Sequence, residues 1–191
     1  EFIRCVSSPN ASGQGGDHGA LDVRNPMIDI ARVRFEDCVA RFGAGLASST
    51  GGAEGSLIIR DAVFLNCRAF AGDGGAVRLN RPGQVRVESV RIEGSIATRG
   101  AGIFSDSTSL TVVNALIFGC TASDGAGIAA RGSGSARIIN STIANNTGSG
   151  ITLQSPGNDS VVNCILRGNS TFDLRLDVPG FDPVPVDARD S

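Results

Sequence analysis

The chain has 191 residues, 41% of them hydrophobic, and 17 basic against 19 acidic residues for a formal charge of -2. That length predicts one domain with enough apolar content for a packed core, and the balanced charge excludes both a disordered tail and a nucleic-acid groove, which needs a basic stripe. With 26 Gly against 7 Pro the composition is neither collagen nor linker, and no apolar run approaches the roughly 20 residues of a membrane-spanning helix. No charged-then-apolar leader opens the chain, so it is expected to be soluble, with any export signal lying outside it.

The first element, Phe2-Ile-Arg-Cys5, sets a pattern of one large apolar residue, two variable ones and then Cys, Ser or Asn. It returns as Phe35-Glu-Asp-Cys38, Phe64-Leu-Asn-Cys67, Ile92-Glu-Gly-Ser95, Ile117-Phe-Gly-Cys120, Ile143-Ala-Asn-Asn146 and Leu166-Arg-Gly-Asn169. Successive fourth positions differ by 33, 29, 28, 25, 26 and 23 residues. After each comes a small residue (Ala40, Ala69, Ala97, Ala122, Gly148), then a glycine turn into an aliphatic, as in Gly74-Gly-Ala-Val77 and Gly100-Ala-Gly-Ile103. Eight residues before the next polar position sits a further apolar column, Ile30, Ile59, Val87, Val112, Ile138 and Val161.

Three short β patterns per unit, with no helix long enough to serve as a crossover, predict a right-handed parallel β-helix of about seven coils with three strands each. At about 4.8 Å per coil, seven coils make a rod about 34 Å long. The long spacings place insertions in the loops around Ser7 to Gly16 and Ser48 to Gly55. The β-helix spans 1–177, starting in mid-coil, and 178–191 is expected as a Pro-rich cap or tail in which Pro179, Pro183 and Pro185 end strand pairing and Phe181 plugs the last coil.

In-register stacking turns each sequence column into a ladder. Asn114, Asn140 and Asn163 are expected to form an asparagine ladder at a turn that needs left-handed backbone. Cys5, Cys38, Cys67 and Cys120 share a position with Ser95, Asn146 and Asn169, so the column reads as a small buried slot of free thiols, with one disulfide as the alternative and no metal cage. Cys164 lies in another column, and an odd count of 5 Cys does not fix the redox compartment. Asp73, Arg99 and Asp124, one per coil, suggest a salt-bridge ladder that fixes register.

Alternation along the glycine-turn strand places Asp22, Arg24, Arg78, Asn80, Asp106, Arg131 and Gln154 on an outward polar strip, the candidate ligand-binding face. A solvated sheet face has the same composition. Asp106, Arg78 and Arg131 are the weak catalytic candidates: a lyase wants a base such as Arg with carboxylates holding calcium, whereas a glycosidase wants two facing carboxylates. His18 beside Asp17 in the first long loop reads as a surface residue. The absence of Trp and Tyr counts against a sugar-stacking groove.

These motifs resemble the right-handed parallel β-helix repeat proteins of the pectate-lyase-like superfamily, and most of all the polymorphic outer membrane protein repeats of bacterial surface proteins, which combine Phe-x-x-Asn with Gly-Gly-Ala-Ile. Gly74-Gly-Ala-Val77 matches closely; Phe35 and Phe64 keep the Phe while Cys38 and Cys67 replace the Asn. The resemblance implies an exported, surface-exposed solenoid used for adhesion or as a scaffold, and carries over no catalytic residue. The expectation is therefore a noncatalytic secreted or cell-surface β-helix, extracellular or periplasmic, that binds an extracellular protein or glycan, or a neighbouring chain stacked at a coil end. No cofactor is expected, with calcium the alternative. The rival readings are a lyase-like, polysaccharide-active enzyme and a subunit docking through its coil ends.

Overall fold

The computed structural model describes residues 2–6, 19–24, 27–49, 55–80, 83–155, 158–177 and 184–186, with the backbone only for 2–6, 49 and 184–186. The loop from Ser7 to His18, residues 50–54 and Phe181 lie outside the described residues.

The chain winds through three strand positions per turn. The first turn is β1 (Phe2–Val6), β2 (Leu21–Val23) and β3 (Met27–Ala31), and the second β4 (Arg34–Ala40), β5 (Leu46–Ser49) and β6 (Ser56–Arg60). The third is β7 (Val63–Leu65), the two-residue β8 (Arg68–Ala69), β9 (Val77–Asn80) and β10 (Gln84–Glu88). The next two are β11 (Arg91–Glu93), β12 (Ile103–Asp106), β13 (Ser109–Val113), then β14 (Leu116–Phe118), β15 (Ile128–Arg131), β16 (Ala136–Ile139). A sixth turn is β17 (Thr142–Ala144), β18 (Ile151–Gln154) and β19 (Ser160–Val162); β20 (Ile165–Arg167), β21 (Leu174–Leu176) and β22 (Val184–Val186) follow.

Three parallel sheets result: sheet I (β1-β4-β7-β11-β14-β17-β20), sheet II (β2-β5-β9-β12-β15-β18-β21) and sheet III (β3-β6-β10-β13-β16-β19). The described strands thus make six complete turns and two strands of a seventh. Register follows the repeat columns. Phe35, Phe64, Ile92, Ile117, Ile143 and Leu166 pair rung to rung, as do Leu46, Val77, Ile103, Ile128, Ile151 and Leu174. The first coil departs: Ile3, not Phe2, lies opposite Phe35, and a bulge between Arg4 and Val6 restores the frame at Val39. One extra residue accommodated this way is the ordinary remedy for a slipped register.

The ladders fill the interior with Phe35, Phe64, Leu46, Leu57, Ile59, Leu79, Ile92 and Ile117, all fully buried. Because identical columns stack one rung apart, the Phe35 and Phe64 rings lie face to face, with centroids 4.8 Å apart and planes 7° from parallel. Corners need left-handed residues. The sheet III to sheet I corner uses Arg32, Asp61, Ser89, Asn114, Asn140 and Asn163, all with φ between 50 and 56°. Asn and Asp suit that region; Arg32 and Ser89 occupy it at a cost of roughly 1–2 kcal/mol each, which stacking on both sides must offset.

The Pro-bearing tail does not end strand pairing. β22 returns antiparallel along β21, with Pro185 opposite Arg175. On an edge strand, proline's missing N–H is tolerated.

The fourth turn contains two buried hydroxyls without a hydrogen-bond partner, Ser95 and Ser105. Ser105 points inward between Leu79 and Ala130. Ser105→Ala is expected to raise unfolding free energy by about 1 kcal/mol in urea titration, since it removes a desolvated, unsatisfied group; a loss of stability would mean the hydroxyl is bonded.

Candidate functional site

The outward face of sheet II begins one residue past each inward aliphatic, at Ala47, Arg78, Phe104, Ala129 and Thr152. This column is not the open polar strip that alternation suggests. Ala47 and Thr152 are 0% exposed, Phe104 1% and Ala129 5%. The glycine turn that precedes each strand folds back over it. A Cβ added to Gly100 would lie 2.8 Å from Phe104 Cβ, and one on Gly125 would lie 2.7 Å from Ala129 Cβ. Glycine there lets the turn lie against the face, and the face is closed as a result.

The second outward column keeps more contact with solvent. There Arg24 and Asn80 are exposed and Asp106, Arg131 and Gln154 are half-buried; in the first column Asp22 and Arg78 are half-buried as well. Most of these side chains are engaged with a neighbour. Arg131 places Nε and Nη2 on Asp106 Oδ2 at 3.0 and 2.8 Å, and Ser107 Oγ donates to Asp106 Oδ1 at 3.1 Å. Arg24 donates to Asp22 Oδ2 at 2.8 Å, and Gln154 Nε2 to Asp177 Oδ2 at 3.2 Å.

Arginines roof the closed column. Arg99 and Arg131 lie over the Phe104 ring at 5.3 and 5.1 Å, and Arg78 and Arg41 lie over Phe42 at 5.0 and 5.1 Å. Arg99 also forks onto both Asp73 oxygens at 2.9 and 2.8 Å. That hydrogen bond, followed by attraction to Asp73, Asp124 and Asp106, raises the Arg99 pKa above its ordinary value against the opposing effect of burial. Arg99 therefore stays cationic and is no base. The expected ladder of Asp73, Arg99 and Asp124 closes only in its first half: Asp124 Oδ1 instead accepts from Thr152 Oγ1 at 2.8 Å and faces Arg175 at 3.9 Å. Phe42 escaped the sequence reading, although it lies four residues before Leu46, in the column of Asp73 and Arg99.

The small-residue slot is a second ladder. Cys38, Cys67 and Cys120 are free and buried, each thiol directed to the carbonyl two residues back at 3.6 Å. The side chain of Cys5 lies outside the description. Cys164 is half-exposed and bonds to Val162 O at 3.3 Å. Toward the C-terminus the slot becomes a buried amide chain: Cys120 N–H donates to Asn146 Oδ1, Asn146 Nδ2 to Asn169 Oδ1 and Asn169 Nδ2 to Asp173 Oδ1, at 2.9, 2.8 and 2.7 Å. At the exposed corner, Asn163 Nδ2 donates to Asn140 Oδ1 at 2.7 Å. Among the described residues no three His, Cys, Asp or Glu side chains come together to hold a metal ion.

Burial pushes the Cys120 thiol up to about 12. Its folded pKa exceeds the unfolded one, so the native state holds its proton longer and stability is complete below about pH 9 and lost as pH rises toward 12. Cys120→Ser, a residue that Ser95 shows the column accepts, is expected to flatten that alkaline slope in urea midpoints; an unchanged slope would show Cys120 contributes none of it.

A family model for the right handed beta helix region matches residues 52–181. No curated protein matches the chain. No solved structure matches it.

Proposed function

Because the chain belongs to the right handed beta helix family, we propose that it is a noncatalytic scaffold, presented outside the cytoplasm, that holds a protein or glycan partner on its outer surface. The observation carrying this reading is the engagement of every catalytic candidate: Asp106 has both oxygens occupied, Arg131 is bound to it, and Arg78 lies over the Phe42 ring. A lyase base must be free to take a proton, and a glycosidase acid must face a second carboxylate across the substrate. The extracellular, cell-surface or periplasmic setting draws its support from the likeness of the repeat to bacterial surface-protein repeats. Incubation with acidic and neutral polysaccharides, with and without calcium, is expected to release no unsaturated or reducing ends. Sustained release overturns the reading.

Docking of a neighbouring chain at a coil end is a second reading, favoured by the half-buried inward side chains Val161, Leu166, Leu174 and Leu176. Light scattering would then give a mass that rises with concentration.

A further inference from the structure

Building on the scaffold reading, we propose that the corner joining sheets III and I over the last three turns is the docking surface, and that it takes a partner peptide carrying acidic and aliphatic side chains. In the first three rungs of this corner the outer faces are neutralised from within. Arg60 is bound to Asp29 at 2.9 Å, Arg34 to Glu36 at 3.0 Å, Arg86 to Glu88 at 2.7 Å and Arg91 to Glu93 at 2.6 Å. From β13 onward the pattern stops. Strands β13, β14, β16, β17, β19 and β20, with the turns joining each pair, contain no acid; they contain Arg137 and Arg167. Both are exposed and neither has an ion-pair partner among the described residues.

Two of the columns vacated by charge become mainly aliphatic, interrupted by Thr142, and are most open at the last rung. The Arg91 column continues as Leu116, 38% exposed, and Ile165, 58% exposed; the Glu88 column continues to Val162, 49% exposed. Between these rows lies the exposed Asn140–Asn163 pair, the one rung of the expected asparagine ladder that closes among the described residues, beside a concavity of about 240 Å³ lined by Asn140, Ser141, Thr142, Asn163, Cys164 and Ile165. Side-chain amides offer both donor and acceptor, the complement of a peptide group, and the aliphatic rows offer apolar contact. The two unneutralised guanidiniums set the sign of the partner. Two cations are too few for a nucleic-acid stripe or for the cluster of about 4–8 that reads an anionic membrane, so the chemistry favours a peptide.

Fluorescence anisotropy with a labelled peptide of alternating leucine and glutamate tests this, with the leucine–lysine peptide and phosphatidylglycerol vesicles as comparators. The glutamate peptide is expected to bind saturably, the lysine peptide not. Joint Arg137→Glu and Arg167→Glu substitution should weaken the glutamate peptide at least about tenfold, equivalent to about 1.4 kcal/mol, and admit the lysine peptide. The milder Arg137→Gln and Arg167→Gln pair should weaken it less, and circular dichroism should be unchanged in both. Absence of saturable binding, binding indifferent to both pairs, or binding to vesicles in place of peptide overturns the proposal. Loss of peptide binding on Arg131→Ala, with the corner variants unaffected, would move the site to sheet II and leave the scaffold reading standing. Polysaccharide turnover, by contrast, would remove the scaffold reading itself.

Discussion

Truncation of Phe64 to alanine is expected to lower the free energy of unfolding by about 3–5 kcal/mol, read from urea titration. Phe64 is fully buried and stacked on Phe35 one rung below. Its ring also fills the space beside Gly45, where an added Cβ would meet Phe64 Cδ1 at 2.8 Å. In a stacked interior the neighbours above and below are held by their own backbone rungs, so the cavity closes little and the cost sits high in the usual range. Phe118, half-buried under Arg91 on the outside of sheet I, provides the contrast: its truncation should cost about 1 kcal/mol or less. Equal losses at the two positions would contradict the assignment of inside and outside.

Gly102→Ala is the second large effect, expected at about 3 kcal/mol, the upper part of the overpacking range. A Cβ at this position would lie 2.4 Å from Gly127 O and 2.9 Å from Ile117 Cγ2. The oxygen is the acceptor of the Ile103 N–H rung at 2.9 Å, so relief of the clash lengthens a ladder bond. Gly119 is the control. It has a φ of 65°, but its nearest atom would be 3.8 Å away, and Asn66 and Asn145 occupy equivalent left-handed positions. Gly119→Asn should therefore lie within about 0.5 kcal/mol of the parent.

These two glycines show how far the repeat could be read. The column positions, the three sheets and the corner residues were legible because parallel stacking in register turns sequence period directly into spatial adjacency. The reasons for the glycines were only half legible. Gly43, Gly74, Gly100 and Gly125 supply left-handed turns, whereas Gly45, Gly102 and Gly127 have ordinary backbone and are required by the approach of the next coil's carbonyl. In the third coil the order Gly74-Gly-Ala-Val77 shifts that tight position to Gly75, whose Cβ would meet Ala101 O at 2.5 Å.

The candidate site was less legible, because alternation fixes which way a side chain leaves the sheet and says nothing of what then covers it. Phe104, outward by period, is buried because the turn before it folds back. The exclusive use of arginine for all 17 basic residues had no physical reason in the sequence. The structure supplies one at three positions. Arg99, Arg131 and Arg91 each hold the guanidinium over a phenylalanine ring while two of its nitrogens bind Asp73, Asp106 or Glu93. A lysine ammonium has no fork of donors with which to do both. The bulge in the first coil and the antiparallel return of β22 depend on single local registers that no repeat can announce.

The most direct test of the proposed noncatalytic role is a paired comparison of the parent chain and Asp106→Ala, assayed for polysaccharide end release with and without calcium and for urea midpoint. The account predicts no release from either protein and a stability loss of about 1 kcal/mol or less, the value of a half-exposed ion pair. Release by the parent that disappears in Asp106→Ala, with stability unchanged, would contradict it.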